Sequence, residues 1–107
     1  MFNSPKKVLT AQSALNTTGK FDGDIAHLYH TLTVISGAGV SAGVVGILVS
    51  PDGQHWFAPA ANTVTTSAAS TVYSVTVGPI AARFAQADIS TGITGGTVDA
   101  WIAAAGE

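Results

Sequence analysis

The stretch that most constrains the fold is A-G-V-V-G-I-L-V-S-P-D-G-Q-H-W-F, residues 42–57. Its first half, Ala42 to Ser50, is uncharged and apolar at both odd and even positions, which is typical of a central β-strand covered on both faces. Pro51-Asp52-Gly53 then has the composition of a tight turn, with Gly53 suited to the left-handed region. We therefore predict a hairpin that Ser50 braces, and whose return strand starts at His55-Trp56-Phe57 with Trp56 as its anchor.

The rest of the chain repeats a pattern of strand and turn. Segments that alternate or are rich in β-branched and aromatic residues occupy 25–35, 71–77, 81–89 and 97–104, with Gly, Pro and Asp clusters between them. No stretch keeps a helical period with capping residues. The 107 residues form one domain, and the pattern predicts an all-β fold, an antiparallel β-sandwich or jelly roll of about seven to eight strands.

The first twenty residues stand apart from this pattern. We assign residues 1–20 to an N-terminal arm or edge segment and residues 21–107 to a single β-sandwich domain. Lys6 and Lys7 carry half of the positive charge, and Val8-Leu9 has the character of a short edge strand. Two alternatives remain open: a frayed terminus, or an arm that crosses to a neighbouring subunit. The second predicts that deleting residues 2–12 abolishes assembly and leaves the sandwich folded.

The low charge narrows the function classes. Asp, Glu, Lys and Arg make up 9% of the chain, against about 25% in a typical soluble domain. Such a surface is either a Ser/Thr-rich β surface exposed to solvent or a surface buried against other subunits. The second alternative favours a homo-oligomer. Only four basic residues and a net charge of −2 argue against nucleic-acid binding.

Membrane insertion, secretion and thiol chemistry are not expected either. The longest apolar run is far below the ~18 residues of a membrane span, and no hydrophobic region follows the N-terminus as in a signal peptide. The chain has no cysteine, so neither a disulfide nor a thiolate zinc site forms.

Three patterns associated with catalysis or metal binding lack the context that they need. The segment Gly39 to Gly43 fits G-x-S-x-G, but a predicted strand follows it where a nucleophile elbow needs a helix. His27 and His30 on one strand from Ile25 to Ile35 would point to opposite faces, one outward and one packed, and would not share a metal. Asp22 and Asp24 are typical of a turn more than of a calcium loop. We predict no enzyme activity, no metal site and no cofactor.

A few polar and aromatic side chains are candidates for contacts. Arg83 is the only arginine, and either an intrachain acid or carbonyl or a group across a subunit interface is expected to pair with it. Asp99 and Trp101 share the outward face of the last strand, where they would form a sugar-stacking patch or an aromatic protein contact. The candidate interface residues are Lys6, Lys7, Val8, Leu9, Arg83, Asp99 and Trp101.

Three segments carry a resemblance to known families. Ser50-Pro51-Asp52-Gly53-Gln54-His55-Trp56 resembles the S-x-D-G-x-x-W hairpin of discoidin-like jelly rolls and of small phage virion proteins, and is similar to the sialidase Asp-box, though one residue shorter. Ala81-Ala82-Arg83-Phe84 resembles the A-R-Y/F strand that follows in those domains. Thr94-Gly95-Gly96-Thr97-Val98 resembles the closing T-G-G-T-V strand of the phage type.

The phage-type resemblance implies a virion structural protein. It most favours a capsid decoration or cement protein that binds the shell or another virion protein through repeated weak contacts, with a tail or head-tail component as the alternative. The protein would be made in the host cytoplasm and located in the virion. A hypothesis of another class is a carbohydrate-binding β-sandwich module that uses Trp56, Trp101 or Tyr73 as a platform.

Overall fold

A computed structural model describes residues 5–106, and in this part of the chain it contains eight β-strands and no helix. The predicted all-β antiparallel sandwich is confirmed. The strands are β1 (Lys6–Gln12), β2 (Thr18–His27), β3 (Tyr29–Ser36), β4 (Ala42–Ser50), β5 (Thr63–Thr65), β6 (Val72–Val77), β7 (Ala82–Thr94) and β8 (Val98–Ala105).

Two four-stranded sheets pack face to face. The first sheet has the strand order β1-β8-β3-β6, and the second has the order β2-β7-β4-β5. β1 lies against β2 at one edge of the sandwich, and β6 lies against β5 at the other. We call these two edges the β1/β2 side and the β5/β6 side.

The core lies between the sheets and follows the alternation of the strands. β8 buries every second residue, as predicted, and β3 buries Leu32 and Val34. β7, whose inward face was ambiguous in the sequence, buries Ala85, Ala87 and Ile89. Small alanines in β7 and β8 let the sheets approach closely. The largest buried apolar side chains are Phe21, Leu32, Ile47, Ile89 and Ile102.

β4 lies inside its sheet between β7 and β5, but the return strand predicted after its turn is wrong in extent. The N–H groups of Val49 and Phe57 donate to each other's carbonyls at 3.0 and 3.1 Å, and this single bridge is the only strand pairing there within the described residues. Pro59 follows two residues later and has no N–H to donate. The strand that does pair with β4 on this side is β5, six residues beyond Phe57.

The single strand predicted from Ile25 to Ile35 is wrong, because the chain breaks at Leu28 and changes sheets there. The turn expected around Asp22 to Asp24 instead lies within β2, where a register shift against β7 falls between Asp22 and His27 and Asp24 has a φ of 68°. This irregularity alters the phase of the strand. Because the chain crosses from one sheet to the other at Leu28, His27 and His30 both face the core and are about 1% exposed, and the expectation that one of them faces outward is wrong.

The N-terminal segment forms an edge of the sandwich. β1 pairs antiparallel with β8, with two register shifts, and Leu9 is only 3% exposed. β1 also packs closely on β2. The backbones approach so closely that a Cβ at Gly19 would collide with the Val8 carbonyl. Residues 6–20 therefore lie within the sandwich, and β2 runs across the boundary that the sequence placed after residue 20.

Candidate functional site

The turn after β4 is held by its own polar side chains. The Ser50 hydroxyl accepts the N–H of Gly53 at 2.9 Å, and Gly53 has a φ of +80°. Asp52 accepts the N–H groups of Gln54 and His55 at 2.8 and 2.9 Å, and its second oxygen lies 2.6 Å from Nδ1 of His55. The His55 N–H, then that of Gln54, holds the pKa of Asp52 well below its ordinary value. The polar side chains of Ser50 and Asp52 therefore form hydrogen bonds within the turn itself.

Trp56 lines a groove of about 410 Å³ at this turn. Phe84 of β7 and the half-buried indole of Trp56 supply its aromatic surface, and Gly53 lies against the Phe84 ring. Its polar lining comes from Lys20, Asp22, Asp52 and Gln54. The groove is thus a mixed aromatic and polar surface on the second sheet and its turn.

Arg83 is paired within the chain. Its Nε and Nη2 atoms donate to the two carboxylate oxygens of Asp22 at 2.8 and 3.0 Å, and its guanidinium lies 4.8 Å from the centre of the Phe84 ring. This bond from Arg83, followed by the N–H of Asp24, lowers the pKa of Asp22. Of the two partners expected for Arg83, the structure contains the intrachain acid.

Three candidate interface residues meet on the outer face of the first sheet. Lys7 Nζ lies 5.2 Å from the centre of the Trp101 ring and 3.6 Å from Oδ1 of Asp99. Asp99 also accepts the Ala11 N–H at 2.8 Å. The strand pair β1–β8 creates this cluster from residues more than 90 positions apart.

The other candidates do not join that cluster. Lys6 lies with its Nζ 5.6 Å from the centre of the Phe21 ring, and Val8 is half-buried. Leu9 belongs to the core and is not available as a contact residue. Arg83 lies in the second sheet, so the predicted interface residues do not form one surface.

The β5/β6 side is a further surface, which was not among the candidates predicted from the sequence. Residues 53–82, which include β5 and β6, contain no Lys, Arg, Asp or Glu. All three lysines lie on β1 or β2, at the opposite edge. Val72 at the start of β6 is 62% exposed, and its neighbour Ile35 on β3 is also exposed. The absence of charge in residues 53–82 was visible in the sequence. The strand order shows in addition that β5 and β6, which lie in this segment, are edge strands on the same side of the sandwich.

The remaining sequence patterns lie in the connection before β4 and in the buried ends of β2 and β3. Ser41 of the G-x-S-x-G pattern lies in the connection between β3 and β4, where no helix follows. His27 and His30 lie with ring centres 6.5 Å apart in a T-shaped contact. Within residues 5–106 no three His, Cys, Asp or Glu side chains are grouped as metal ligands. No helix in this part of the chain is long and apolar enough to span a bilayer.

Comparisons with known proteins connect this fold to two kinds of β-sandwich. No family model matches the sequence, and no curated protein matches it. The C-terminal domain of a chitobiase from Bacteroides fragilis is 20% identical with a TM-score of 0.62, over 88% of this chain and 65% of that domain. The chain therefore spans about two thirds of that domain.

Two further solved structures are similar over most of this chain. The CBM32-1 module of a family 31 glycoside hydrolase from Clostridium perfringens is 16% identical with a TM-score of 0.59, over 85% of this chain and 71% of that one. The SPBc2 prophage-derived protein YomS is 12% identical with a TM-score of 0.60, over 97% of this chain and 94% of that one. At these identities the comparisons establish the fold alone, a β-sandwich shared by carbohydrate-binding modules and a prophage protein.

Proposed function

We propose that this chain is a non-enzymatic structural protein of a virion, a capsid decoration or cement protein that binds the shell through its β5/β6 side. The observation that carries the proposal is the charge-free stretch 53–82, which supplies both edge strands of that side. The centres of protein–protein interfaces are depleted in charged residues, because each charge buried there loses its hydration. A side without charge can be covered by a partner at little cost in desolvation.

Repetition would supply the affinity. One uncharged β-sheet edge makes few strong contacts, and a single copy would bind weakly. Copies arranged with the symmetry of a shell add their contacts, because each neighbour raises the effective concentration of the next. The near-complete mutual coverage with the prophage protein, 97% and 94%, supports the proposal at the level of size and fold.

The test is incorporation into particles of a phage that encodes this chain. We expect the protein in purified particles in many copies, and in the head fraction after heads and tails are separated. Val72→Lys, which places a charge on the β5/β6 side, should reduce incorporation at least tenfold. Leu15→Lys is the matched control, since Leu15 is 57% exposed, lies between β1 and β2 and receives the same change.

Each result decides a part of the proposal. Absence from washed particles would contradict a structural role in the virion. Presence in tails alone would replace the decoration role by the tail role. Equal incorporation of both lysine variants would contradict the use of the β5/β6 side.

The groove at Trp56 supports a second candidate function, the binding of a saccharide. Aromatic rings stack on sugar rings, and the Trp56 and Phe84 rings lie beside Lys20 and Gln54, which provide hydrogen-bonding groups. The similarity to carbohydrate-binding modules supports this candidate at the level of fold.

A glycan array tests the second candidate. We expect Trp56→Ala to abolish any specific signal, whereas Trp101→Ala, on the outer face of the other sheet, should leave it unchanged. Absence of a specific signal from the wild-type protein, or a signal that survives Trp56→Ala, would contradict saccharide binding in this groove.

A further inference from the structure

β6 has an open hydrogen-bonding edge that is both regular and uncharged. It pairs with β3 over six residue pairs without a register shift, and no strand among residues 5–106 pairs with its other side. Its sequence, V-Y-S-V-T-V, contains no charge and no proline. Proteins protect exposed sheet edges with lysines, prolines and bulges, because an unprotected edge pairs with other strands.

The opposite edge of the same sheet has this protection. β1 begins with Lys6 and Lys7, and its pairing with β8 is interrupted by two register shifts. β2, beside it in the second sheet, carries Lys20, Asp22 and a register shift of its own. The protein thus protects one side of the sandwich against strand pairing and leaves β6 free to pair.

The hydrogen bonds of β3 determine which groups of β6 face outward. The Ser36 N–H donates to the Thr71 carbonyl at 2.9 Å. Hydrogen-bonded and non-bonded pairs alternate along an antiparallel ladder, so Tyr73, Val75 and Val77 bond to β3. The alternate residues Val72, Ser74 and Thr76 direct their N–H and C=O groups to the open edge, and their side chains are exposed.

We propose that β6 pairs antiparallel with β6 of a second copy of this chain, about a twofold axis that passes through Ser74. In this register Ser74 lies opposite its own copy and Val72 lies opposite the second copy's Thr76. All three outward-facing residues then form hydrogen-bonded pairs, about six bonds in total. Facing side chains also fall on the same face of the sheet, as strand pairing requires.

A second copy fits this edge for two reasons. The facing side chains are small and uncharged, so self-pairing brings no like charges together. Pairing of β6 with β1 of another copy, which would build an open filament, meets the register shifts and lysines of β1. The result is a closed dimer with a sheet that runs continuously through both copies. The pairing uses the main-chain groups at the edge of β6, whereas the exposed side chains of Val72 and Ile35 stand perpendicular to the sheet and remain available to the shell. The inference rests on the proposed structural role, in which a dimer doubles these contacts with the shell.

Sedimentation of the purified full-length chain over a wide concentration range tests the pairing. We expect the wild-type protein to shift from monomer to dimer as concentration rises. Ser74→Pro removes only an N–H that faces the open edge and leaves the ladder to β3 intact, so it should weaken dimerisation at least tenfold. Ser74→Ala keeps the N–H and should dimerise like the wild type.

Charged variants test the register. Ser74→Lys and Ser74→Asp each place like charges opposite each other at the axis and should be monomeric. A mixture of the two should recover a dimer, because lysine then faces aspartate. A wild-type protein that stays monomeric, a Ser74→Pro variant that dimerises normally, or a mixture that stays monomeric would overturn the proposal.

These outcomes are separable from failure of the proposed function. If the protein is monomeric but is still incorporated into particles, the proposed dimer is contradicted and the proposed virion role is not. If the protein dimerises but is absent from particles, the proposed strand pairing is supported and the proposed virion role is contradicted.

Discussion

Deletion of residues 2–12 is expected to unfold the sandwich, not merely to prevent its assembly. The deletion removes the whole of β1, the strand that covers the outer edge of β8. It also removes Leu9, which is 3% exposed in the core. Loss of a buried leucine side chain alone costs about 2–5 kcal/mol, which is a large part of the roughly 5–15 kcal/mol of a typical domain. The lost hydrogen bonds and the newly exposed apolar surface of β8 add to that loss.

Circular dichroism and urea unfolding will measure this effect. The deletion variant should lack a cooperative transition or show one at much lower urea than the wild type. The double variant Lys6→Ser, Lys7→Ser is the matched control, because it removes the charges and keeps β1. It should unfold close to the wild type. A deletion variant with an unchanged transition would show that β1 is a dispensable arm, as the sequence alone allowed.

The sequence was sufficient for the fold wherever strands are regular. β8 alternates without interruption, so its buried face was predicted in full. β6 was predicted to within one residue at its start, because Gly78-Pro79 closes an alternating segment. In these segments the alternation of apolar and polar residues is compatible with only one buried face, since a slip of one residue would place the apolar side chains in water.

The failures have a common cause in backbone irregularities that side chains do not encode clearly. Asp24 adopts a positive φ that a non-glycine residue seldom takes, and this position within β2 changes which residues face inward. The turn after β4 had the composition of a hairpin, but Asp52 closes it as a self-contained loop, and Pro59 prevents a return strand.

The candidate surfaces depend on long-range pairing and were therefore less predictable than the strands. Lys7 and Trp101 meet because β1 pairs with β8, at opposite ends of the chain. Likewise, β5 and β6 form one side only after they join different sheets. A single sequence gives the composition of such a surface but not the strand order that assembles it.

Acid is expected to destabilise this protein well before its carboxylates are protonated. His30 is buried at about 1% exposure, with its ring 6.4 Å from that of Phe21 and 6.5 Å from that of His27. Burial, and then the charge of a protonated His27, lowers the pKa of His30 below its ordinary value, while a hydrogen bond to the Ala82 backbone partly opposes the shift.

The sign of the effect follows from proton uptake in the two states. The unfolded chain protonates this histidine near pH ~6.5, whereas the folded protein does so only at lower pH. The stabilisation is complete above pH ~6.5 and is lost as pH falls towards the folded pKa of His30, with a slope of at most about 1.4 kcal/mol per pH unit. The paired carboxyls of Asp22 and Asp52, whose pKa values are also lowered, contribute only in more acidic solution.

Urea unfolding between pH 7.5 and 5 isolates the histidine contribution. We expect the free energy of unfolding of the wild type to fall across this window, and His30→Gln to flatten the fall because its side chain does not titrate. His55→Gln changes the exposed histidine of the turn and should keep the wild-type pH dependence. If wild-type stability were constant from pH 7.5 to 5, or if His55→Gln and not His30→Gln removed the dependence, the buried imidazole would not be its source. Because the phase change at Leu28 buries both histidines, the same experiment tests the feature that separates this fold from the uninterrupted strand the sequence predicted.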